Sequence, residues 1–368
     1  MRKTTTHKYV TGFASILLVI GLSGCSDNDD DDNADLDTTL RDNYTEQFAA
    51  LPTAAVYPDD NPYSAEKEQL GELLFWDPIL SGDERVACAS CHHPDHGWAD
   101  GRQLSMGVNG FGLGPDRQGG EETDIHAPTI MNTAFTGLTL EHLLDDESFV
   151  SGPYFWDLRA ATLEAQAIGP IKNSIEMRGT NYTEDEIIPE IILRLETNIE
   201  YATLFEEAFG EDSITEENIA RAIATFQRGI IQSQSRFDQF LNGDTSVFSE
   251  EEIGGLNKFI DVGCADCHDG PMLSDNEIDE TKVVVPELEA VRTPSLRNIS
   301  KTAPYMQDGH RSTLSNAVAI YEDREDLEVN MDDEDISAIV AFLLTLDSEV
   351  STRIPEEVPS GLQVGGDI

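Results

Sequence analysis

Two short motifs constrain this chain more than any other feature: Cys88-Ala89-Ser90-Cys91-His92 and Cys264-Ala265-Asp266-Cys267-His268. Both are C-x-x-C-H, the spacing of c-type haem attachment. Two thiols three residues apart reach the two vinyl groups of one porphyrin, and the following histidine points at the iron as proximal ligand. A redox C-x-x-C pair does not require the histidine, and a two-part zinc site would bring its halves closer together than positions 88 and 264. The motifs therefore imply two covalently bound haem c groups. A chain of 368 residues is long enough for two domains, one around each porphyrin.

The fifth cysteine closes a different pattern. Arg2, Lys3 and Lys8 form a basic start, Val10 to Gly21 is apolar, and Leu22-Ser23-Gly24-Cys25 follows. A charged start, a short apolar run and a small-residue cleavage site read as a secretory signal over 1–24 rather than a spanning helix. The Leu-Ser-Gly-Cys ending resembles a bacterial lipobox, whose cysteine is lipidated and becomes the mature N-terminus. The alternative is an ordinary signal peptide with an incidental cysteine. Ser26 rather than Asp after Cys25 suits transfer to the outer membrane of a Gram-negative bacterium, so the expected location is the periplasm, with the membrane met only through the lipid. Residues 25–40 then form a tether. Its stretch from Ser26 to Asp37 holds seven aspartates and almost nothing apolar, so it self-repels and stays solvated. A calcium-binding role for that run is the weaker reading.

Acidity is not confined to the tether: the net charge is −48 and the pI about 4.1. Such a surface repels nucleic acid and anionic lipid and suits a small basic partner. Elsewhere the periodicity is helical. Ile219, Ala222, Ile223, Phe226 and Ile230 recur behind a Thr215 cap, and Ile336, Ile339, Val340 and Leu343 follow the acidic start Asp332 to Asp335. Period-2 strands are scarce. Leu70-Gly71 with Leu74-Phe75 before the first motif and Gly254-Gly255-Leu256 with Phe259 before the second suggest a loose duplication. The expected fold is all-α: two cytochrome c-like haem domains packed around an inter-haem interface. The boundaries read as 41–210 and 211–350, with a tail over 351–368.

Longer stretches carry a resemblance. They are Leu70-Gly71-Glu72-Leu73-Leu74-Phe75-Trp76-Asp77 with Leu80-Ser81, Ala127-Pro128-Thr129 with Asn132, Phe155-Trp156-Asp157-Leu158-Arg159-Ala160, Gln166-Ala167-Ile168-Gly169-Pro170-Ile171 and Glu176-Met177. Ser235-Arg236-Phe237-Asp238, Arg292-Thr293-Pro294-Ser295-Leu296-Arg297-Asn298 and Thr302-Ala303-Pro304-Tyr305-Met306-Gln307-Asp308-Gly309 continue the series. In order and spacing, from about residue 60 to 348, the chain resembles the bacterial di-haem cytochrome c peroxidase family, which includes the MauG-type enzymes.

That resemblance implies a peroxidatic N-terminal haem on Cys88, Cys91 and His92, and an electron-transfer C-terminal haem on Cys264, Cys267 and His268. It puts Trp156 between the haems, Gln166 and Glu176 in the distal pocket, and Pro170 among the residues shaping it. Cleaving an O–O bond needs a group that moves a proton between the two oxygens, and a carboxylate in a dry pocket can do so. Glu176 is that candidate.

The chain departs from the family pattern in three places. Many members carry a distal histidine eight residues before the position of His126; here that residue is Gln118, and residues 97–125 contain no histidine. MauG-type enzymes also lack it, which implies an iron open to peroxide without reductive activation; His93, His96 and His142 are the remaining candidate intruders. The second axial ligand of the C-terminal haem falls on Tyr321, as in MauG, where many peroxidases have Met; Met306 is the alternative. A phenolate favours ferric iron and lowers the potential. At the family's calcium site Thr302 and Pro304 match as backbone donors, but His126 replaces an Asn. Calcium prefers oxygen, so it is carried only as an open alternative.

Three functions follow. The leading one is reduction of hydrogen peroxide at the open N-terminal haem, with electrons relayed through the C-terminal haem from a small donor such as a cytochrome c or cupredoxin. The second is MauG-like: a high-valent di-haem state oxidising an organic or protein substrate. The third is a non-catalytic di-haem electron carrier, against which Glu176 and Gln166 count. A homodimer is expected by family analogy alone.

Overall fold

The computed structural model describes residues 40–144, 149–279, 291–322 and 329–368. The signal sequence, Cys25 and the tether up to residue 39 lie outside the described residues. The described chain is helical, with one pair of two-residue strands, β1 (Ile278–Asp279) and β2 (Val291–Arg292), paired antiparallel. Among the described residues, no helix is long and apolar enough to cross a membrane.

Each motif follows a helix that packs on a second one at unusually short range. Helix α1 (Ala65–Trp76) starts at Ser64, whose side chain accepts from Lys67 N, and buries Leu70, Gly71, Leu74, Phe75 and Trp76. The helices α2 (Leu163–Lys172), α3 (Glu184–Thr197) and α4 (Ile199–Phe209) complete this half, together with α5 (Glu216–Arg228). Thr215 caps α5 by accepting from Asn218 N. Helix α1 crosses α5 at Gly71, where a Cβ would sit 1.9 Å from Ala222 O. The second half repeats the device. In α7 (Glu250–Asp261), which follows α6 (Arg236–Leu241), a Cβ on Gly255 would sit 1.9 Å from Ala338 O of α9 (Asp333–Leu343). Helix α8 (Leu314–Ala319) lies alongside α9. The duplication seen in the sequence is thus a repeated helix crossing in which only glycine fits.

The cores divide the chain differently from the expected 210/211 boundary. Ile219, Ala222, Ile223 and Phe226 of α5 are no more than 1% exposed and join Leu70, Leu74, Phe75 and Ile171 in the first core. Burying each of the larger side chains contributes roughly 1.5–3 kcal/mol, so α5 belongs energetically to the first unit. Conversely, Tyr44 and Phe48 pack with Phe237, Phe240, Phe259 and Phe342 in the second core. Their segment is tied there by Leu51 N donating to Asp238 Oδ1 (3.0 Å) and Arg297 Nη2 donating to Ala49 O (3.1 Å).

The C-terminal tail returns to the first unit. Gly365 N donates to Trp76 O (2.7 Å), Ser90 Oγ to Gly365 O (2.7 Å) and Trp98 Nε1 to Ser351 O (3.0 Å). Arg353 pairs with Glu68 and Glu72. The last 18 residues form a strap behind the first motif.

Candidate functional site

The two motifs fold alike. Cys88–Ser90 and Cys264–Asp266 each form a tight 3-10 turn, and the histidine N–H donates to the first cysteine carbonyl at 2.9 Å in both. The ring is oriented the same way too. His92 Nδ1 meets Trp98 O at 3.2 Å, and His268 Nδ1 meets Leu273 O at 2.9 Å. A carbonyl on Nδ1 selects Nε2 as the metal-facing nitrogen. Burial lowers the His92 pKa to about 4, against the upward pull of the Trp98 and Pro128 carbonyls, so the ring is neutral, as ligation requires. Burial also pushes the Cys88 and Cys264 thiols up to about 12. A redox-active pair needs a lowered pKa, so these thiols serve attachment.

Cys88, Cys91 and His92 line a cavity whose other walls include Trp156, Gln166, Pro170 and Glu176. Its void, counted with the open mouth, is about 1160 Å³. The walls are largely apolar, with Phe75, Ile130, Leu163, Met177 and Ile223 among them, while Ser105 and Gln166 contribute polar side chains. A large apolar ring with polar substituents fits those walls.

Helix α2 explains the distal side. Thr162 caps it, and Gln166 and Pro170 are four residues apart on one face, both lining the cavity. The chain turns at Asn173, whose Nδ2 donates to Glu176 Oε1 at 2.9 Å while its Oδ1 accepts from Ile175 N and Glu176 N. Glu176 is half-buried, and burial raises its pKa above 4.5, with Arg159 pulling the other way. Arg159 stacks on Phe155, 3.8 Å from its ring centre, and pairs with Asp157. Trp156 is 6% exposed and donates Nε1–H to His126 O at 2.9 Å.

Besides His92, the one histidine among the described residues lining this cavity is His126, and its Nδ1 is engaged by Arg102 O at 2.7 Å. His93 packs edge-on to Trp76, His142 bonds Thr139, and Gln118 pairs its backbone with Phe111. None of these three, nor His96, lines the cavity. Tyr321 and Met306 both pack against the second core, as does Cys264. Thr302 is buried, and its Oγ1 donates to Ile299 O at 3.2 Å. Among the described residues no cluster of three or more His, Cys, Asp or Glu could hold a metal ion.

Sequence reasoning missed Asn173 as the holder of Glu176, the His126 carbonyl as the partner of Trp156, and Arg292 on the cavity wall. Arg292 lies in the Arg292–Asn298 stretch, yet nothing in the sequence says that it has no acidic partner among the described residues.

The family description for di-haem cytochrome c peroxidase matches residues 65–246, and that for cytochrome c matches residues 248–347. Cytochrome c551 peroxidase of Nitrosomonas europaea is 31% identical over 313 residues, 80% of this chain and 83% of that protein. This chain belongs to the di-haem cytochrome c peroxidase/MauG family. Another relative is methylamine utilization protein MauG of Methylophilus methylotrophus, 30% identical over 322 residues, covering 80% of this chain and 87% of that protein. A solved MauG-like protein associated with microbial copper homeostasis superposes with a TM-score of 0.66 at 26% identity, covering 81% of this chain and 95% of that one. As a member of this di-haem family, the chain carries two covalently bound haem c groups and is an oxidoreductase.

Proposed function

We propose that this di-haem protein is a peroxidase that reduces hydrogen peroxide in the cavity above Cys88, Cys91 and His92. The observation that carries this reading is the placement of Glu176, Gln166 and Trp156 on the walls of that cavity. The first haem, when bound, supplies the iron at which peroxide is reduced, and the second supplies and stores electrons. The side chains do the rest. Glu176 takes a proton from one peroxide oxygen and returns it to the other, a transfer favoured by its burial and by Asn173 holding Oε1. Gln166, whose side chain makes no hydrogen bond within the described residues, is available to orient the bound molecule. The apolar walls keep bulk water out. Trp156, fixed at its indole by His126, serves as the relay between the two units.

Calcium binds six to eight oxygens, and His126 turns a ring nitrogen to the Arg102 carbonyl, so a calcium ion here would have to be held by other oxygens, with the Thr302 and Pro304 carbonyls as donors. Export, lipidation at Cys25 and residence in the periplasm at the outer membrane are part of the same proposal, supported by residues 1–37, as is a small basic cytochrome c or cupredoxin as donor to so acidic a chain.

Steady-state peroxide consumption by the two-haem protein with a reduced cytochrome or dye is the test; no turnover above free haem would overturn it. Tyr321 favours a second reading, oxidation of an organic or protein substrate, because phenolate ligation disfavours easy electron uptake. Tyr321→Phe tests the premise of that reading: it abolishes the low-spin ferric resonance of the second haem if Tyr321 is the ligand, and leaves it intact if Met306 is.

A further inference from the structure

The chain has 71 acidic and 23 basic residues, so an arginine that turns its Nε inward with no acid beside it needs an explanation. Three buried arginines have their guanidinium groups paired or bonded to carbonyls, although Arg228 Nε has no partner among the described residues. Arg228 pairs with Glu164 (2.6 Å), Arg297 pairs with Asp238 (2.8 Å), and Arg117 donates to the carbonyls of Met106, Gly112 and Gly107. Arg292 differs. The residue is half-buried, and among the described residues its buried Nε has no partner, Nη1 reaches only Asn276 Oδ1 at 3.3 Å, and no carboxylate lies within ion-pair distance. Burial pulls its pKa down to about 10, which still leaves it cationic at neutral pH.

Its position says what should face it. Arg292 lines the cavity of the first motif together with Tyr154, Trp156 and His92. Its backbone N–H donates to Trp156 O at 2.8 Å, and Asn276 follows the second motif by eight residues. The guanidinium therefore stands on the seam between the two units. An inward-facing charge without a counter-ion is unfavourable, and an arginine fork is shaped for a carboxylate. The porphyrin attached at Cys88 and Cys91 brings two such groups, its propionates, into this cavity.

We propose that Arg292 is the counter-ion of a propionate of the N-terminal haem. It anchors that edge of the porphyrin beside Trp156 and raises the reduction potential of the first haem, because a positive charge at the propionate disfavours ferric iron. Arg292 is a positioning residue: it touches the cofactor's edge and acts on the chemistry through the potential.

The test is spectroelectrochemical titration of the two-haem wild-type, R292Q and R292K proteins, with haem attachment checked by mass. R292Q should shift the reduction equilibrium of the first haem at least tenfold toward ferric, about 59 mV for one electron, with a smaller effect on the second haem. R292K keeps the charge but loses the Nε donor, and should recover at least half of that shift while still falling measurably below wild type. It carries the test if R292Q does not mature. A first-haem midpoint unchanged in whichever variant matures, or a shift confined to the second haem, would overturn the assignment. Peroxide turnover is not the readout, so failure of the peroxidase reading would leave this test intact.

Discussion

Trp156 donates its indole N–H to the carbonyl of His126 at 2.9 Å, so the aromatic ring on the cavity wall is fixed by a residue 30 positions earlier in the chain. The same tryptophan's carbonyl accepts from Arg292 N at 2.8 Å. One residue thus joins the first unit to the strand pair that follows the second motif.

Trp156→Phe keeps an aromatic ring but leaves the His126 carbonyl without its donor, which costs about 1–3 kcal/mol. We expect a lower thermal midpoint with both haems still attached, and at least a tenfold drop in peroxide turnover. Calorimetry and steady-state assays check the two effects separately; retained turnover would show that Trp156 is structural only.

Glu176 sets an acid limb. Burial raises its pKa above 4.5, and the carboxylate form is the one that accepts the first proton. The value of kcat/KM should therefore fall as pH drops through that raised pKa, at a pH higher than an exposed glutamate would give. Glu176→Gln should cost about 10²–10⁴ in kcat/KM and flatten the limb. A pH–rate profile of both proteins decides.

The paired glycines allow a symmetric experiment. A methyl group at position 71 or 255 meets a carbonyl oxygen at 1.9 Å, so each helix pair must separate. Gly71→Ala should destabilise the first unit, and Gly255→Ala the second, by about 3 kcal/mol or more. Native-state hydrogen exchange, read over helices 65–76 and 250–261, locates each effect.

Arg297 and Asp238 are 1% and 2% exposed at the side chain and bonded at 2.8 Å. Arg297→Ala leaves a buried carboxylate and costs about 3–5 kcal/mol. Because Arg297 also holds Ala49 O, residues 44–51 should become protease-sensitive together with the second unit.

Deleting residues 351–368 removes the hydrogen bonds from the strap to Trp76, Ser90 and Trp98, and the Arg353 ion pairs. At about 1 kcal/mol per bond, the first unit should unfold earlier while the second keeps its midpoint. Unchanged unfolding of the first unit would show the strap to be dispensable.

Local patterns carried much of this into the sequence. The cysteine and histidine spacing marked two attachment motifs because it is a property of adjacent residues, and both motifs fold into a 3-10 turn. Thr215 was legible as a cap and Asp332 to Asp335 as an acidic helix start for the same reason, and the helices over 216–228 and 333–343 begin there, with Asp332 as the cap of the second. Family spacing brought Trp156, Gln166 and Glu176 forward as candidates, and all three line one cavity. Long-range pairing was not legible. That α5 packs with the first unit, that the last 18 residues strap it, and that Tyr44 and Phe48 join the second core depend on contacts between residues up to nearly 300 positions apart. No periodicity encodes such contacts. The same holds for charge: composition showed an acidic chain, but only the folded arrangement puts Arg292 half-buried on the cavity wall with no acid beside it among the described residues, because a counter-ion is defined by three-dimensional distance and not by sequence.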